Sequence, residues 1–206
     1  MAITSIGAKL DVIAHDHEHE HPKAAPDELD HIRQFVNTLD LESLEDKLAE
    51  PDVAAAWLTG RGLLPEGESL TSADVRQAHS MREAMRKLLL AHNGAPLDNA
   101  AVDTVNSAAK SAELVVRFDE HGEAALVPVR PGIDGALGRL IAIAYRAMSD
   151  GTWERLKACP EDGCEWAFYD WSKNRSATWC DMATCGNRAK ARAYRERRQR
   201  GSAATA

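Results

Sequence analysis

The residues with the clearest chemical potential are four cysteines, all the cysteines the chain has, and they fall between positions 159 and 185. They read C-P-E-D-G-C, then fifteen residues, then C-D-M-A-T-C. Two close thiol pairs joined by a spacer that lets the chain return have the layout of a four-thiolate zinc site, each pair on a tight turn whose sulfurs converge. Pro160 and Gly163 supply the first turn. Cys159, Cys164, Cys180 and Cys185 are therefore the expected ligands of a structural Zn2+, because four thiolates fill a tetrahedral shell and leave no position for a catalytic water. Disulfides are the competing use of the same thiols and need an oxidising compartment.

Between the pairs lie Trp166, Phe168, Tyr169 and Trp171, with Trp179 directly before Cys180. A metal module this short has little core of its own, so Trp166, Phe168 and Trp179 are expected to pack around the ion. Lys173 and Arg175 in the same spacer read as an exposed loop able to contact phosphate. After Cys185 the chain turns basic: Arg188, Lys190, Arg192, Arg195, Arg197, Arg198 and Arg200 stand against one acid, Glu196. No Pro or Gly interrupts 188–200, which predicts a helix leaving the metal site. Helical geometry sets Arg188, Arg192 and Arg195 within roughly 60° of one another on one stripe. Such a stripe suits a phosphate backbone or a major groove, while the scatter of the other cations suits general attraction to a polyanion.

Charge divides the chain in two. Its 206 residues carry a formal net charge of -7, yet residues 1–150 hold 14 Lys and Arg against 25 Asp and Glu, while residues 151–206 hold 11 against 7. A split of this kind marks two functional units, one suited to nucleic acid. A 44% hydrophobic and 28% charged composition excludes collagen-like and wholly disordered chains. No apolar run reaches the about 18 residues of a membrane span, and Lys9 and Asp11 break an apolar leader, so a cytoplasmic protein without membrane association is expected. No P-loop, dinucleotide fingerprint, H-E-x-x-H or nucleophile elbow occurs, and the chain does not read as an enzyme.

The elements that would position these groups are mostly helical. Leu29, Ile32, Phe35, Val36 and Leu39 follow the i, i+3, i+4 rule. Pro51 can open a helix that buries Val53, Ala54, Trp57 and Leu58. Thr71 and Asp74 resemble a capping box ahead of a long helix through Leu89, ended by His92-Asn93-Gly94. Asp98 to Ser111 and Ile133 to Met148 read as further helices, and Glu113 to Phe118 with Ala124 to Val129 as a β-hairpin around Asp119-Glu120-His121-Gly122. The expected fold is mainly α with a small β-hairpin over residues 29–150, then a four-cysteine zinc module and basic helix over 151–206. Residues 1–28 read as a lead-in rich in His and acids, with an edge strand from Ile3 to Ile13. There His15, His17, His19 and His21 alternate with acids, which would align four imidazoles for a labile metal. Asn37 and Asp40, polar beside an apolar stripe, either fix the helix end or line an effector pocket between helices.

The closing run W-C-D-M-A-T-C-G-N-R, from Trp179 to Arg188, resembles the CGNR-type zinc finger, and the likeness runs from Cys159 to about Arg198. Phe35-Val36-Asn37-Thr38-Leu39-Asp40 is similar to the early signature of the ABATE-type domain that precedes this finger in that family. The resemblance implies a bacterial zinc-binding, stress-induced transcription regulator, with the finger on DNA and the N-terminal domain sensing a small-molecule effector or forming a homodimer. Ser176-Ala177-Thr178 stands where the family's pattern suggests a further basic residue. The alternative from another class is a zinc-stabilised module for protein or RNA without sequence-specific DNA binding.

Overall fold

The computed structural model describes residues 24–203, with side chains through residue 200. The lead-in histidines and the strand expected from Ile3 to Ile13 lie outside the described residues. Among these residues the chain forms helices α1 (Leu29–Val36), α2 (Pro51–Thr59), α3 (Ser72–Ala91) and α4 (Asn99–Ser111), then strands β1 (Val115–Phe118) and β2 (Ala124–Val127), then helix α5 (Gly132–Ser149). A 3-10 turn, Trp153–Arg155, leads into strands β3 (Leu156–Ala158) and β4 (Ala167–Tyr169). A π-helical turn, Met182–Gly186, feeds helix α6 (Asn187–Ala203). The fold is mainly α with two small antiparallel hairpins, β1–β2 and β3–β4.

The long helix α3 forms for the reason its sequence suggests. Thr71 accepts from the Asp74 amide at 3.3 Å and donates its own amide to the Asp74 carboxylate at 2.7 Å, closing a reciprocal capping box. Its apolar stripe, Val75, Ala78, Met81, Met85 and Leu89, is buried against α1, α4 and α5. The core is continuous across these helices through Ile32, Phe35, Leu58, Leu137 and Leu140, all fully buried. The stripe of α2 departs from expectation: Ala54 and Leu58 are buried, whereas Val53 is half exposed. Trp57 is partly covered, and the guanidinium of Arg61 lies over its ring, 3.8 Å from the centroid.

Hairpin β1–β2 pairs Val115 with Val127 and Phe118 with Ala124 around the Asp-Glu-His-Gly loop, where Gly122 takes φ 79°. It lies on α5 through β2. Gly138 of α5 makes that approach close, since a Cβ there would stand 2.6 Å from Ala112 Cβ and 2.9 Å from Pro128 Cβ.

Hairpin β3–β4 was not apparent in the sequence and it decides how the cysteine module sits. Leu156 pairs with Tyr169 and Ala158 with Ala167, every strand residue being buried. Leu156, Ala158, Ala167 and Tyr169 join the helical core, while Phe168 turns to the cysteines. The hairpin is thus a wall shared by both parts of the chain.

Candidate metal centre and basic helix

Cys159 directly follows β3, and the turn after it brings Cys164 back. The Cys159 amide donates to Trp166 O at 3.0 Å and the Cys164 amide to Glu161 O at 2.9 Å. Gly163 and Glu165 take left-handed φ of 79° and 44° to close the loop. The second pair sits where α6 begins. Asp181 caps the π-helical turn by accepting from the Thr184 amide at 2.7 Å, which brings Cys185 round beside Cys180. Gly186 lies under the Met182 thioether and beside the Trp179 ring, so a Cβ there would displace the Met182 side chain.

The four sulfurs lie within 4.8 Å of one another. Cys159, Cys180 and Cys185 are buried, and none of the four is in a disulfide. Sγ of Cys164 stands 3.6 Å from that of Cys180, which stands 3.7 Å from that of Cys185. A disulfide needs about 2.05 Å. Four sulfurs about 2.3 Å from a common tetrahedral centre are about 3.8 Å apart, close to the separations observed. The electrostatics agree. Hydrogen bonds from Cys164 and Cys180 lower the Cys159 thiol, whereas contacts with Cys159 and Cys164 raise Cys180, and contact with Cys159 raises Cys164. Burial raises Cys185. One negative sulfur therefore opposes ionisation of the rest, and a divalent cation among them reverses that cost. The donor set suits a soft, tetrahedral metal and closes its shell. Phe168 is fully buried against the cysteines, with Trp166, Trp179 and Ala177 packed around them, as the spacer's aromatic content suggests.

Polar residues of the helical layer pin this module in place. Asn37, just beyond α1, donates to Ala167 O at 2.9 Å and accepts from the Ala167 amide at 2.7 Å. Arg86, 1% exposed, donates to Glu165 O at 3.0 Å, to Val36 O at 2.8 Å and to Glu83 at 3.0 Å. At the end of α3, His92 Nδ1 lies 2.8 Å from Leu156 O, so Nδ1 carries the proton. Burial holds that imidazole below its ordinary pKa, and it stacks edge-on against Trp153. Asn93 donates to Ala158 O and Thr178 O at 2.9 and 2.7 Å. Sequence reasoning assigned His92 and Asn93 to a helix end and overlooked Arg86 altogether.

The amide of Asn37 is thus committed to β4. Asp40 accepts from the amides of Glu42 and Ser43 at 2.8 and 3.2 Å, folding its own loop. It borders a cleft of about 20 Å³ beside Cys164, Cys180 and Cys185, which is room for about one water. The structure thus makes one side chain a bracket between layers and the other a turn residue beside the thiols.

The basic helix also departs from its expected arrangement. Arg188 pairs with Glu42 at 2.7 Å, and Arg192 pairs with Glu161 and lies 3.7 Å from Asp162. Glu161 is buried, and a buried carboxylate demands a cation. Two members of the Arg188, Arg192 and Arg195 stripe therefore face carboxylates of their own chain. Lys190, Arg195, Arg197 and Arg198 are exposed on the same helix. Lys173 is exposed, and Arg175 takes φ 54° and reaches Glu154 at 3.3 Å. The Arg175 carbonyl accepts from buried Lys157 at 2.7 Å, so this loop is anchored from beneath. No helix among the described residues is long and apolar enough to cross a membrane.

Two family models match the chain in succession. Residues 30–151 match the ABATE model, described as "Putative stress-induced transcription regulator", and residues 155–198 match the CGNR zinc finger. A search of curated proteins finds no match.

Proposed function

The chain belongs to the ABATE family, followed by a CGNR zinc finger, and we propose from that membership that it is a cytoplasmic, non-enzymatic transcription regulator that binds duplex DNA through α6. The observation that carries this reading is the juxtaposition of four convergent thiols, three of them buried, with a cationic helix starting just after the last of them. Zn2+ held by Cys159, Cys164, Cys180 and Cys185 supplies a crosslink that fixes the root of α6. In this reading residues 29–150 sense an effector or dimerise, residues 151–206 bind DNA, and residues 1–28 are a lead-in. Lys190, Arg195, Arg197 and Arg198 supply phosphate neutralisation, with Lys173 at the rim. Arg188, Arg192 and Arg175 reach DNA only by releasing their carboxylates.

The test is duplex binding by the zinc-loaded chain across a salt series. Log K should fall linearly with log salt, and Lys190→Ala with Arg195→Ala and Arg197→Ala should flatten the slope by about 3 × 0.9. These positions are exposed, so the triple variant should keep its melting temperature. An unchanged slope overturns the reading. Preference for structured RNA, or for neither polymer, would favour the alternative of an RNA or protein module. Equilibrium sedimentation showing only monomer on DNA would remove dimerisation.

A further inference from the structure

The acidic half of the chain contains a concentration of positive charge that the DNA-binding reading does not use. Where hairpin β1–β2 meets α5 and the ends of α1 and α2, the surface opens into a cavity of about 370 Å³. Arg61, Arg117, Arg139 and Arg146 all line it, joined by His31 and a single carboxylate, Glu28. Residues 1–150 carry 14 basic against 25 acidic side chains, so four arginines at one concavity run against local composition.

Two of the guanidiniums are fixed in place by neutral partners. Arg61 donates to Gln34 at 2.8 Å and to Trp57 O at 3.1 Å, and burial lowers its pKa. Arg139 donates to Leu63 O at 2.6 Å. Among the described residues neither of these arginines, nor Arg117, forms an ion pair within 4.0 Å, whereas Arg146 holds Glu28 at 2.7 Å. Neutral anchors set geometry without cancelling charge, and a concave wall focuses the field that remains. Leu126, Val127 and Ile143 give the cavity an apolar side. Its volume falls within the about 300–1,000 Å³ of small-molecule sites.

We infer that this cavity binds a small organic anion, carrying a carboxylate or phosphate toward the arginines and an apolar body against the hairpin. The inference rests on the proposal that residues 29–150 sense an effector, and it moves the sensing site from Asn37 and Asp40 to the arginine-lined cavity. The two ends of α1 connect that cavity to the metal module: His31 borders the cavity, while Asn37 beyond the last turn holds β4. An anion that takes Arg146 from Glu28 acts on the segment entering α1.

The test is isothermal titration calorimetry of the full zinc-loaded chain with inorganic phosphate and, separately, succinate, at ionic strength fixed with sodium chloride. At least one arm should show saturable binding that Arg117→Gln with Arg139→Gln weakens about tenfold or more, as expected for lost charge-assisted hydrogen bonds. Glu28→Gln, at an exposed position, should tighten binding, which guards against a fold defect in the arginine variant. Lys190→Gln should leave binding unchanged. Saturable heat in neither arm, or equal affinity in the Arg117/Arg139 variant, overturns the site, even with duplex binding intact. Anion binding that obeys these variants but leaves duplex affinity unchanged upholds the site and removes the sensing reading.

Discussion

Asn37 and Asp170 carry the heaviest single-residue consequences, because each is a buried polar group with several partners, Asn37 across the junction between the helical layer and the cysteine module and Asp170 within that module. Asn37 makes two hydrogen bonds to the backbone of one residue of β4, donating to the Ala167 carbonyl and accepting from the Ala167 amide. Asn37→Ala strands the Ala167 amide and carbonyl away from water and should cost about 2–4 kcal/mol in urea unfolding, at about 1–2 per lost partner. Asn37→Asp should cost more, since it removes the donor and buries a charge. Asp170 is fully buried and accepts from Lys157 Nζ at 2.8 Å, the Ser172 amide at 2.9 Å and the Ala177 amide at 3.0 Å. Burial alone would raise its carboxyl, but Lys157 and the Ser172 donors together hold it below the usual aspartate range. A depressed native pKa gives stability that is complete above the unfolded value near 3.9 and is lost as pH falls through the native value. Asp170→Asn should cost about 3–5 kcal/mol at neutral pH, because Lys157 is left buried without its counter-charge. Its unfolding free energy should also decline less than wild type between pH 5 and about pH 2, read from urea titrations at each pH. An equal acid dependence in the two proteins would mean that the carboxylates of Asp30 and Asp46, which are also held low, account for it.

At the scale of elements, the helices were legible because their stripes repeat at 3.6 residues and their caps are local. The box at Thr71 and Asp74 is one such signal, and Thr71→Ala should lower stability by about 1 kcal/mol while Thr71→Ser leaves it nearly unchanged, measured by thermal melting. The β1–β2 hairpin was legible from its loop. Hairpin β3–β4 was not, since L-K-A and A-F-Y are three residues long and buried on both faces, which erases the alternation that betrays a half-exposed strand. Buried Arg82 and Arg86 escaped for a related reason: charged side chains on a helix read as solvent-facing. Their spacing held the clue, because Ala78, Arg82, Arg86 and Leu89 share one face of α3 and all are buried. Arg82 there clamps Asp46 with bonds of 2.7 and 2.9 Å. The cysteine cluster was readable from spacing alone, whereas the intrachain partners of Arg188 and Arg192 depend on Glu42 and Glu161, which only tertiary folding brings near. The arginine cavity was invisible for the same cause, its four cations coming from three separate stretches of sequence.

For the molecule as a whole, the thiol cluster and the helical core share one hairpin. Hairpin β3–β4 gives Leu156, Ala158 and Tyr169 to the core of the helical layer and Phe168 to the thiol cluster. Asn37, Arg86, His92 and Asn93 fasten its backbone from the helical side. Four thiols with no cation between them repel as they ionise, so stripping zinc with a chelator should release the 159–186 loops first. The hairpin then loses one of its two faces, and part of the burial of Leu156 and Tyr169 goes with it, at about 1.5–3 kcal/mol for a large apolar side chain. A loss of about 3 kcal/mol in a chain of this size lowers Tm by roughly 6–12 °C. Calorimetry of the stripped protein should accordingly show the main helical transition displaced downward by at least that interval, and duplex affinity lost with it. A helical transition that keeps its temperature after zinc removal would show that the brackets from α1 and α3 hold the hairpin without the ion, and that the metal serves α6 alone.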